Sequence, residues 1–107
     1  MALQVVGVSL EMIAAVRPLV QRLKRHDRSL ADQLVRAASS VALNAAEAEY
    51  SDPGNKRARL FTAAGSANET RAAIRVAVAW GYFVQGEAEG AEELLRRVLA
   101  MLWKLTR

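Results

Sequence analysis

The stretch SLADQLVRAASSVALNAAEAEY, Ser29 to Tyr50, decides the fold. Leu30, Leu34, Ala38, Val41, Ala45 and Ala48 recur at intervals of four, four, three, four and three, the period of one apolar helical face. The buried side is rich in alanine, so neighbouring helices can come close. A second line, Arg36, Ser40, Asn44 and Glu47, runs along the helix at intervals of four, four and three and shares one face of its own. Polar groups in so apolar a helix need partners, because an unpaired buried group costs roughly 1–3 kcal/mol. The expectation is that Arg36 and Asn44 pair with carboxylates and fix helix register, with Ser66 and Glu69 of the next helix joining this structural polar network.

Working outward, Ser51-Asp52-Pro53-Gly54-Asn55 is turn chemistry that ends this helix near Tyr50, and Asp52 before Pro53 can cap the next. That third helix is expected from Pro53 to Gly81, where glycine stops it. Its second half, AAIRVAVAWGYFV, is apolar on nearly every face and calls for cover on more than one side. In a small domain this points to a partner subunit, with helix one as a second contact surface. Upstream, the first helix is expected over 9–26, with Met12, Ile13, Val16, Leu19, Val20 and Leu23 inward, Pro18 bending it and residues 1–8 as a lead-in. Ser29 is read as the N-cap of the second helix (29–50), with Asp32 three positions on. The fourth helix is expected over 88–105, with Leu94, Leu95, Val98, Leu102 and Leu105 inward and Trp103 as an end anchor. Four helices on short turns give a single all-α domain over 1–107, an antiparallel up-down-up-down four-helix bundle.

The totals narrow the function classes. A chain of 107 residues, 52% hydrophobic, can bury a real core. It has no cysteine and a single histidine, His26, so thiolate and histidine-cluster metal sites are unavailable and no cofactor is implied. The start has no basic region ahead of an apolar run, and no apolar run reaches the roughly 20 residues of a membrane span, so a soluble cytoplasmic protein is expected. The net charge of +4 is uneven: residues 9–28 and 51–82 are each +3, 29–50 is −2, and 83–107 is neutral. Three basic groups are candidates for nucleic-acid contact: Arg22, Lys24 and Arg25, with Arg28, at the first turn; Lys56, Arg57 and Arg59 at the second; and Arg71 and Arg75, one turn apart on helix three. The first two groups fall at opposite ends of a bundle. Few aromatics flank any of them in the sequence, so base stacking has little support.

The residues Leu30-x-Asp32-Gln33-Leu34-x-Arg36-Ala37-Ala38-x-Ser40-Val41-x-x-Asn44-x-Ala46-Glu47 resemble the signature of the bacterial 23S ribosomal RNA intervening-sequence proteins. Ala63-x-Gly65-Ser66-Ala67-x-Glu69 and Trp80-Gly81-Tyr82 are similar to that family's third helix and its ending. The resemblance spans residues 3–105 and implies a non-enzymatic four-helix bundle, many of whose relatives have no assigned task. A related branch, the accessory variability determinants of diversity-generating retroelements, forms pentameric barrels that bind nucleic acid and a reverse transcriptase. The resemblance therefore implies a homo-oligomeric ring, with a pentamer as the order to consider. Ala42 and Ala48 stand where the family usually has proline and glycine, which should make the second helix more regular here. The expected function is a non-enzymatic accessory or scaffold protein that binds nucleic acid or a nucleic-acid enzyme such as a reverse transcriptase. The alternative is a protein–protein interaction module with no nucleic-acid role. An enzyme ranks third, because no nucleophile, base and cofactor come together in the sequence.

Overall fold

The computed structural model describes residues 3–107, without the side chain of Gln85, and the first two residues of the expected lead-in lie outside it. Four helices follow in order: α1 (Gln4–Leu23), α2 (Arg28–Ala48), α3 (Pro53–Trp80) and α4 (Gln85–Thr106), and no strand occurs among the described residues. Each packs on its chain neighbours and α4 closes on α1, so the helices stand at the corners of a square. The expected antiparallel bundle is what forms, 42 Å long and about 20 Å across. α2 and α3 share the most extensive contact.

The core is a column of side chains that follows the periodic stripes. Met12, Leu23, Leu34, Val41, Leu60, Ile74, Leu95, Val98 and Leu102 are essentially inaccessible. Each large aliphatic residue buried this way contributes about 1.5–3 kcal/mol. Alanines fill the rest: Ala31, Ala45, Ala48, Ala63, Ala67, Ala77 and Ala88 are fully buried. Polar residues inside this column bond back to their own helix, Ser9 Oγ to the Val5 carbonyl at 2.6 Å and Thr106 Oγ1 to the Leu102 carbonyl at 2.8 Å.

Local chemistry sets the helix ends, and the starts of three helices differ from expectation. α1 begins at Gln4 rather than Ser9, because Val5 and Val8 extend the buried stripe below Met12 and the Leu3 N–H donates to Glu49 Oε1 at 2.7 Å. α2 begins at Arg28 with Asp27, not Ser29, as its cap; Asp27 Oδ1 accepts from the Leu30 N–H at 3.0 Å. α4 begins at Gln85, three residues early, because Glu87 Oε1 accepts the Val84 N–H at 2.9 Å and so offsets the weak propensity of Gly86 and Gly90. The ends of α3 fall as read: Asp52 Oδ1 accepts from the Asn55 N–H at 3.0 Å, and Gly81 takes the left-handed conformation (φ 80°) that a side chain would strain. Pro18 is exposed inside an α1 that continues past it. Leu105 faces outward, not inward, and Trp103 is no buried anchor: it is 65% exposed beneath Arg107, and Ala91 takes the core position at the other end of the stripe.

Candidate functional site

The seam between α2 and α3 carries the polar line expected to be a buried charged network, and the structure divides that line in two. Ser40 Oγ and Ser66 Oγ meet across the seam at 2.7 Å, with Ser66 buried. Asn44 Nδ2 donates to the Ser40 carbonyl at 2.9 Å and to Ser40 Oγ at 3.0 Å, folding back on its own helix rather than reaching a carboxylate. Thr70 continues the line, its Oγ1 on the Ser66 carbonyl at 2.8 Å. The charged members lie outside: Arg36, Glu47 and Glu69 are exposed, and Glu47 pairs with Arg59 at 2.8 Å. The correction has a physical reason. Alanines bring the two helices together, so the gap holds a hydroxyl pair and no salt bridge, while the charges stay in water and avoid desolvation. Arg36 and Glu69 stand on the rims of an open groove of about 550 Å³ whose floor includes Ala37, Ser40, Ser66 and Ala73.

The buried charge is on the other side of α3. Glu92 of α4 is 5% exposed and lies between Arg71 (Nε to Oε2, 3.5 Å) and Arg75 (Nε to Oε1, 3.9 Å). Glu92 Oε1 and Arg71 Nε are buried with no hydrogen-bond partner, so these are Coulombic contacts rather than well-made bonds. Arg71 and Arg75, read from the sequence as free surface cations, therefore have an internal carboxylate. Glu92 has no part in the core expected from the sequence. The available signal was its register, four residues after Ala88 and three before Leu95 on the inward stripe.

The remaining candidate cations divide between paired and free. Arg22 pairs with Glu87, and Arg59 with Glu47. Lys24 and Arg25 are exposed near the end of α1, and Lys56 and Arg57 lie in the first turn of α3, with Arg57 over the Phe61 ring at 5.5 Å. Among the described residues none of these four meets a carboxylate, and neither does Arg28. α1 and α2 join at one end of the bundle and α2 and α3 at the other, so the two groups are held apart by its length, as the sequence implied.

The first turn also has aromatic company that linear spacing concealed. His26 stacks on Tyr82 with ring centroids 5.2 Å apart and planes within 10°, and Trp80 stacks on the same Tyr82 at 6.5 Å and 20°. Tyr82 donates its hydroxyl to Asp27 Oδ2 at 3.4 Å, which ties the α3–α4 turn to the α1–α2 turn. Burial, and after it the Asp27 charge, raises the Tyr82 phenol above its usual range.

Large hydrophobic side chains are exposed on several parts of the surface. Val35 and Leu43 of α2 (63% exposed at Leu43), Phe61 and Val76 of α3, and Leu10 of α1 are all open to solvent. Leu10 and Val35 border a second groove, about 530 Å³, between α1 and α2. Among the described residues no cluster of three or more His, Cys, Asp or Glu side chains has metal-binding geometry, and no helix is long and apolar enough to cross a membrane.

These features define an antiparallel four-helix bundle with a small-residue seam, an apolar flank and cationic ends. Residues 1–104 match the model of the 23S rRNA-intervening sequence protein family, and the chain belongs to that family. Its fold is similar to the crystal structure of a protein of unknown function from the S23 ribosomal protein family of Bacteroides thetaiotaomicron. The TM-score is 0.90 at 21% identity, with 96% of this chain and 98% of that one covered. Comparison with curated proteins finds no match.

Proposed function

We propose that this chain is a non-enzymatic cytoplasmic scaffold that self-associates along its α2–α3 flank and presents its cationic ends to nucleic acid. The observation that carries the reading is the separation of the two surfaces. Leu43, Val35 and Val76 lie on the flank, whereas Lys24, Arg25 and Arg28 at one end and Lys56 and Arg57 at the other lack carboxylate partners among the described residues. Bundles packed side by side would repeat each end around a ring and add their fields, with a pentamer as the order to test. Nucleic acid would be gripped by phosphate, with weak sequence preference. A nucleic-acid enzyme such as a reverse transcriptase is the protein partner that suits this arrangement.

The test is retention on labelled RNA and DNA as salt is raised. The wild type should bind at low salt with a steep salt dependence. The paired reversals Lys24→Glu/Arg25→Glu and Lys56→Glu/Arg57→Glu should each flatten the log–log slope by about 0.7–0.9 for every phosphate no longer neutralised. Absence of retention at low salt would overturn the nucleic-acid role and leave a protein–protein module, the reading that the exposed Leu43 and Val35 favour on their own.

A further inference from the structure

The end of the bundle where α1 turns into α2 and α3 into α4 holds a ladder of three rings among free cations. Gly81 makes it possible. Its left-handed conformation reverses the chain, with the Gly81 N–H on the Val78 carbonyl at 2.9 Å and the Tyr82 N–H on the Ala77 carbonyl at 3.0 Å. Tyr82 is thereby brought back under Trp80 and against His26, and the Asp27 carboxylate holds it from the neighbouring turn. Tyr82 is the middle rung and half-buried; Trp80, 70% exposed, and His26 are the outer rungs. Asp27 is engaged by the Leu30 N–H and the Tyr82 hydroxyl, and Glu87 by Arg22. Lys24, Arg25 and Arg28, on either side of His26 in the chain, are exposed with no carboxylate partner among the described residues.

A large indole left in water costs free energy unless something covers it, and a fixed ladder does not collapse to hide it. Rigid aromatic faces with flanking cations match one polymer closely: a single strand whose unpaired bases stack while its phosphates meet lysine and arginine. A duplex offers the same phosphates but no free base face. From this juxtaposition we propose that Trp80, supported by Tyr82 and His26, is a stacking platform for unpaired bases of single-stranded RNA or DNA, with Lys24, Arg25 and Arg28 holding the adjoining phosphates. The inference rests on the nucleic-acid reading above and adds a strand preference that phosphate binding alone does not supply.

The experiment uses the full chain with Trp103→Phe, so that Trp80 is the only tryptophan. Oligouridylate, oligothymidylate and a blunt duplex of equal length are titrated separately. A single strand should quench Trp80 emission where the duplex does not, and the tighter binder of the two single strands identifies the polymer. Trp80→Ala should weaken single-strand binding by roughly 5- to 150-fold, the range of one base stack, and change duplex binding less than about twofold. Trp80→Phe should recover most of that affinity, and the helical circular dichroism of each variant checks folding. Unchanged single-strand affinity in Trp80→Ala, with the wild type still binding, would overturn the platform and leave the phosphate reading intact. A fall in oligomer mass in Trp80→Ala would overturn it too, because the indole would then be covered by another copy. Failure of every nucleic acid to bind the wild type would overturn both readings.

Discussion

The two sides of α3 solve different problems. Toward α4, a carboxylate 95% withdrawn from water stands between two arginines, and the charge is balanced inside the molecule. Toward α2, close-packed alanines leave room only for a hydroxyl pair, and the charged and apolar side chains of that flank end in solvent. The first side is complete within one chain. The second leaves Val35, Leu43 and Val76 exposed, the surface proposed above for self-association. Helix spacing, set by side-chain size, decides which kind of polar contact each seam can hold.

The strongest way to break this comparison is to overfill the tight side. Ala77 is fully buried on the face of α3 that carries Ser66, three turns further on, and Ala77→Leu should destabilise the chain by about 3 kcal/mol, because a close-packed seam has no volume to give. A destabilisation below about 1 kcal/mol in urea denaturation would mean that the seam is loosely packed.

The charged side offers a sharper contrast. Arg71→Ala leaves Glu92 buried beside only the more distant Arg75, and should cost about 2 kcal/mol, less than the roughly 3–5 of a fully buried pair because Arg71 is itself partly hydrated. Glu92→Leu removes the buried charge and should cost under about 1 kcal/mol. The reverse ranking in denaturant midpoints would show that the ion pair is a net source of stability.

Removing the hydroxyl bridge has a smaller effect. Ser66→Ala should cost about 1 kcal/mol, and adding Ser40→Ala should cost less than the sum of the two single changes, since both share one bond. Strict additivity would place the two hydroxyls in separate networks.

The smallest effect lies at the cap of α3. The Asn55 N–H, then the Asn55 side chain, hold the Asp52 carboxyl below its usual value of 3.8. A lowered folded-state value means that the cap stabilises the fold above that pH and that the benefit disappears as pH falls through the folded value. Asp52→Asn should therefore lack this acid-side decline in denaturant midpoint. An identical decline in wild type and variant would assign the acid sensitivity to other carboxylates.

Those features written in short-range chemistry were legible in the sequence. The helix periods gave the bundle, Asp52-Pro53 gave the start of α3, and Gly81 gave its end. Errors arose where two local signals competed and a tertiary contact chose between them. Asp27 and Ser29 are both good caps, and Tyr82, 55 residues away, bonds the first. The polar line on α2 shares one face as read, but periodicity does not report how near the facing helix stands, and that distance kept the charges out of the buried seam, so that Glu47 meets Arg59 in solvent. Glu92 and the Trp80–Tyr82–His26 ladder were missed for a related reason: each is assembled from residues on different helices or turns, with nothing in the linear spacing to join them.

The central claim, that the α2 side of the molecule is unfinished in a single chain, is tested most directly by solution mass. Light scattering at micromolar concentration should give the wild type a mass several times the 11.7 kDa of one chain, and Val35→Asp/Leu43→Asp should return it to 11.7 kDa with its helical content unchanged. A wild type that weighs 11.7 kDa and does not respond to these substitutions would contradict the account.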